Sequence, residues 1–142
     1  MQTNLNSVEN QQSNLNSDKQ QQSEKSNPQK DLSFQNTKWL LKTIDGQQIE
    51  SPPKPAYITF GDDDTFSGFS GCNGFSGSYY LSGDILKLDN VISTQRGCLG
   101  GNNPERLFFS VISRTDACTV IGNKLILTQM SAEIATFEGV NE

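Results

Sequence analysis

Residues 65–79 read Thr-Phe-Ser-Gly-Phe-Ser-Gly-Cys-Asn-Gly-Phe-Ser-Gly-Ser-Tyr, with glycine at 68, 71, 74 and 77. Aromatic, strand-forming sequence is broken here at every third position by a residue that weakens a strand. Glycine in that setting marks bulges, positive φ or close backbone approach where a sheet bends. The spacing is neither the G-x-G-x-x-G of a dinucleotide site nor a P-loop, which needs G-K-[ST]. Four triplets poor in proline are not collagen either. The segment therefore predicts a strongly curved sheet.

The rest of the pattern agrees with curvature. Lys38–Ile44 alternates, with Trp39 and Leu41 on one face and Leu40 on the other. A Pro-rich link at 51–55 leads to a strand at 56–60, and Gly61-Asp62-Asp63-Asp64 makes a turn into a strand at 65–70, where the parity of Phe66 and Phe69 suggests a bulge. Strands at 75–81 and 84–88 pair across Ser82-Gly83, and Ala117–Ile121 pairs with 124–127 across Gly122-Asn123. A strand at 133–137 ends the sheet. Asn102-Asn103-Pro104-Glu105 supplies a capping asparagine, a first-turn proline and an acidic residue, and Leu107, Phe108, Val111 and Ile112 follow at helical spacing. One helix cannot cover both faces of a sheet. The expected fold is mainly β: a small antiparallel β-barrel, closed so that no edge is exposed, with one principal amphipathic helix covering it.

Composition divides the chain in two. In residues 1–30, Gln, Asn and Ser account for 18 positions, and only Met1, Leu5, Val8 and Leu15 are apolar. Such a segment does not bury enough apolar surface to offset about 1 to 2 kcal/mol of backbone entropy per residue. We expect a disordered tether over residues 1–31 and one domain over residues 32–142. The net charge is -5, and beyond residue 30 there are 8 basic and 13 acidic side chains, so nucleic acid is not an expected partner. The chain has no histidine, which removes Ser-His-Asp and Cys-His catalysis and His-ligated zinc. The three aspartates at 62–64 do not make an EF-hand, since position 12 of that frame is Asn73. Glu105 fits a helix-dipole role and Thr94 the cap of a short turn. No metal, cofactor or catalytic residue is expected. No run approaches the roughly 18 apolar residues of a membrane-spanning helix.

Trp39-Leu40-Leu41 followed by Gly46, then Ile58-Thr59-Phe60 and Phe66-Ser67-Gly68, lead into Gly71-Cys72-Asn73-x-Phe75-x-Gly77-x-Tyr79. Downstream stand Leu86, Thr94-x-x-x-Cys98, Glu105, Phe108, Ile121-Gly122-x-x-Leu125-x-Leu127 and Phe137. This order, from about Leu32 to Glu138, resembles the META domain, also called the HslJ-like domain. The resemblance implies a small β-barrel with helical cover, found in exported or lipid-anchored bacterial envelope proteins. It also implies association with heat shock, novobiocin resistance and, in some members, motility or virulence, with no established catalysis. The chain departs from the pattern at Arg96-Gly97, where a Met and a small residue are usual, at the glycine-rich loop that follows, and at Cys118, where an aromatic is commoner.

Cys72 and Cys98 occupy family positions. In an oxidising compartment a bond between them closes a loop of about 25 residues and contributes about 3 kcal/mol by the chain-entropy argument. Three buried thiols are the alternative. Two function classes follow: a monomeric, non-enzymatic envelope scaffold acting through an unknown protein partner, and a barrel carrying a hydrophobic or lipid ligand. Phe-rich strands favour a filled interior and hence the scaffold. Location is expected to be extracytoplasmic, as a periplasmic or surface lipoprotein whose signal has been removed and whose possible lipid anchor lies upstream. A thiol- or carboxylate-based hydrolase needs a paired cleft that the sequence does not reveal.

Overall fold

Alternation at Lys38–Ile44 produces β1, which buries Trp39, Leu41 and Ile44; the parity change before Ile44 is absorbed by a register shift between Leu41 and Thr43 against the last strand. The computed structural model describes residues 31–49, 54–98 and 104–140. The expected tether, most of the Pro-rich link and both candidate capping asparagines lie outside the described residues. The compact unit runs Asp31–Glu142.

After β1 come β2 (Gln47–Gln48), β3 (Tyr57–Phe60), β4 (Thr65–Phe69), β5 (Gly74–Ser82) and β6 (Ile85–Ser93). The helix α1 (Glu105–Arg114) precedes β7 (Ala117–Ile121), β8 (Lys124–Gln129) and β9 (Ala132–Val140). Every strand pairing is antiparallel. Strand β1 pairs with β3 through Trp39 and Leu40, with β2 through Thr43 and Ile44, and with β9 through residues 38–44. The last pairing brings β9 back to β1, so that, with the two-residue β2 paired to β1 beside the closure, the strands form a ring. Its thinnest seam lies between β6 and β7, a single register pair of Ile85 with Ala117. The chain leaves the sheet at the other end of β6, after Ser93, and returns from α1 to this seam at Ala117.

The ring is filled. Trp39, Phe60, Phe66, Phe108 and Phe137 are at most 2 % exposed. Aromatic contacts run from Phe60 through Phe66, Phe75 and Phe108 to Phe137, with centroids 5.3–6.2 Å apart. Offset and edge-on pairs of this kind add about 0.5 to 1.5 kcal/mol each beyond their area. Both ends are covered. On one, residues 31–37 cross the turns: Leu32 N–H donates to Gly122 O at 2.8 Å, Asn36 N–H to Phe60 O at 2.7 Å, and Phe34 stacks on Phe60 at 4.2 Å. On the other, α1 buries Phe108, Val111 and Ile112.

Several expectations need correcting. Leu107 is 49 % exposed, because at helical spacing the face set by Phe108, Val111 and Ile112 turns it to solvent. Pro104 sits at the N-cap, one residue before the first helical position, and its carbonyl accepts from Phe108 N–H at 2.8 Å. Strand β4 carries no bulge; Phe66 and Phe69 lie on opposite faces, with Phe66 buried. The bulge belongs to β6, where Asn90, at φ 58°, and Val91 stand against Gly77. The β5–β6 turn is Gly83-Asp84, since Ser82 already pairs with Ile85.

The glycines have separate reasons. A Cβ on Gly77 would lie 2.6 Å from Phe66 Cζ and 2.7 Å from the Asp89 carbonyl, and one on Gly68 would collide with the Tyr57 carbonyl and the Phe75 ring. Gly71 turns at φ +99°, whereas a Cβ on Gly74 meets nothing closer than 3.8 Å.

Candidate functional site

The β4–β5 turn, residues 70–73, stands beside the start of α1 and the segment that follows β6. Ser70 is fully buried, and its hydroxyl oxygen accepts from Cys72 N–H at 3.1 Å and Asn73 N–H at 2.9 Å, a Ser turn that Gly71 permits by its positive φ. The same hydroxyl donates to Glu105 Oε2 at 2.7 Å.

Asn73, 3 % exposed, is the centre of this turn's polar network. Its Nδ2 donates to Glu105 Oε2 at 2.8 Å and to Arg96 O at 3.1 Å; its Oδ1 accepts from Thr94 Oγ1 at 2.7 Å and Arg96 N–H at 3.0 Å. All four bonding positions of the amide are filled. The reversed amide would set Nδ2 against the Arg96 N–H and Oδ1 against a carboxylate, so the partners dictate its orientation. Cys72 and Cys98 are joined as a disulfide with Cα atoms 5.8 Å apart, tying the turn to the segment from the other side.

The structure thus brings Gly71, Cys72, Asn73, Thr94 and Cys98 to one place. Phe75, Gly77 and Tyr79 lie farther along β5: Phe75 packs on Phe108 and Phe109, while the Tyr79 hydroxyl donates to Gly61 O and accepts from Gln35 Nε2. Two roles read from the sequence change. Thr94 donates a hydrogen bond to Asn73 Oδ1 rather than capping a turn, and Glu105 accepts from two side chains in addition to standing in the first turn of α1. Ser70 and the Arg96 backbone were missed. The Ser-Gly-Cys-Asn order is a turn signal for Ser70, but nothing local joins position 73 to 96 and 105.

Chemically the cluster is a closed polar knot. The Ser70–Glu105 contact has the form of a nucleophile beside a base, yet the serine oxygen is inside the protein and its lone pairs meet two backbone amides. Cys118 is buried away from the disulfide; desolvation, and secondarily the charge of Asp84, push its thiol up to about 11. At neutral pH it is a thiol, not a thiolate. At the β3–β4 tip, Asp63 accepts from the Thr65 hydroxyl at 2.6 Å and the Thr65 N–H at 3.2 Å, and the hydroxyl bond foremost holds its carboxyl below the ordinary value.

The sequence model of the META domain matches residues 32–141. The chain belongs to the META domain family. Two solved structures resemble this META domain. An NMR structure of a protein from Burkholderia xenovorans is 24 % identical, with a TM-score of 0.63 over 77 % of this chain and 85 % of that one. A second NMR structure is 23 % identical, with a TM-score of 0.60 over 75 % and 94 %. At that identity the likeness is one of fold. No curated protein matches the chain.

Proposed function

We propose that this META domain is a non-enzymatic, exported envelope protein, a filled ring that works as a rigid scaffold for protein contacts in envelope stress or antibiotic tolerance of the novobiocin kind. The observation that carries this reading is the packed interior. Five large side chains at most 2 % exposed occupy the space in which a carrier would hold its ligand, and the concavities found among the described residues open on the outside. The polar cluster supports it too, because the acceptor and donor positions of the Asn73 amide and the Ser70 hydroxyl are used internally. A Cys72–Cys98 disulfide fits an oxidising compartment. Native mass spectrometry of the full chain purified from its own host tests the scaffold against the carrier. No non-covalently bound lipid is expected, and a lipid reproducibly retained in the native mass and lost on denaturation overturns the reading.

A further inference from the structure

Above the polar knot two open concavities adjoin. One, of about 360 Å³, is lined by Phe75 and Ile92 among others; the second, of about 570 Å³, by Arg96, Arg106 and Phe109; Ser93 and Thr94 border both. The result is a groove with an apolar end, where Ile92 is 70 % exposed, and an end that carries Arg96 and Arg106 together with the half-buried Glu105 carboxylate, which already accepts from Ser70 and Asn73. Arg96 and Arg106 are exposed, and among the described residues neither guanidinium is taken up in an ion pair. Arg96 is also held in place: the buried Asn73 amide grips both its N–H and its carbonyl, and the disulfide anchors the chain two residues on. A buried hub thus fixes the backbone of an exposed arginine, which lowers the entropy lost when that arginine binds.

The geometry points to this groove as the docking site for a short acidic peptide segment of a partner protein, with its carboxylates on Arg96 and Arg106 and a neighbouring apolar side chain against Ile92 and Phe109. Charge complementarity selects that occupant. Arginine forks suit carboxylates. Two adjoining concavities of about 360 and 570 Å³ offer more room than a single small anion fills. An anionic bilayer is disfavoured, because surface attachment uses clusters of about 4–8 basic residues, whereas Arg96 and Arg106 alone are basic among the described residues that line this groove.

The inference rests on the scaffold reading, and its test separates the two. The full chain is panned against a random dodecapeptide display library, and one enriched peptide is titrated into 15N-labelled protein. Enrichment of Asp or Glu beside apolar residues is expected, with amide shifts confined to residues 92–97 and 106–109. The double variant R96E/R106E should bind at least tenfold more weakly while keeping native amide dispersion. The groove is overturned by no enrichment, by enriched peptides without acidic residues, by shifts elsewhere, by equal binding to the double variant, or by preference for phosphatidylglycerol vesicles. Any of these with no non-covalent lipid in the native mass leaves the scaffold standing, whereas such a lipid removes the scaffold whatever the peptides do.

Discussion

Asn73 shows how one side chain can join three segments distant in sequence. Truncating it to alanine orphans the Thr94 hydroxyl, both polar groups of the Arg96 peptide and one donor to Glu105. Loss of a partner in a buried network costs about 1 to 3 kcal/mol per group left unsatisfied, so Asn73→Ala should lower urea-unfolding stability by about 3 kcal/mol. Glycine offers a sharper contrast. Gly68→Ala drives a methyl into the Tyr57 backbone and should cost more than about 2 kcal/mol, whereas Gly74→Ala has room and should shift stability by less than about 1 kcal/mol. Thermal melts of the pair check whether the glycine repeat is one motif or several positions with separate causes. Cys118 makes stability depend on pH. Its folded value of about 11 exceeds the ordinary 9.0, so the folded state keeps a proton that the unfolded chain releases, and its contribution is whole below pH 9 and lost as pH rises from 9 to 11. That fall should be on the order of 2 kcal/mol, and Cys118→Ala should flatten it in urea titrations across the window.

Among the elements, strands were more legible than their junctions. Burial on one face writes itself as alternation, which is why β1, β7 and the Gly122-Asn123 hairpin could be read directly. The bulge at Asn90 could not, since it is defined by the register of β6 against Gly77 of the neighbouring strand β5, which the local sequence does not carry. Helix α1 was visible by its period, but four apolar residues left its inward face ambiguous by one position. Phe108→Ala, which empties a fully buried site beside Phe75 and Phe137, should cost about 3 to 5 kcal/mol; Leu107→Ala should cost less than about 0.5 kcal/mol. Denaturation of the two variants settles which face packs. The polar knot was legible only in part: Asn73, Thr94 and Cys98 stood out through the family resemblance. The hydrogen bonds from Asn73 to Arg96 and Glu105 need contacts across more than twenty residues of chain.

For the whole domain, covered ends and a filled interior leave the outer surface as the place where the proposed scaffold would make its contacts. The disulfide bears on where that happens. It closes a 26-residue separation, and reduction should remove about 3 kcal/mol of stability by the chain-entropy argument, loosening the segment that presents Arg96. If the domain is the exported scaffold proposed above, it is oxidised where it works. Host cells quenched in acid, denatured without reductant and treated with a mass-tagged alkylating reagent report this directly. One tag per chain, on Cys118, is predicted, and three tags would contradict an extracytoplasmic domain held by Cys72 and Cys98.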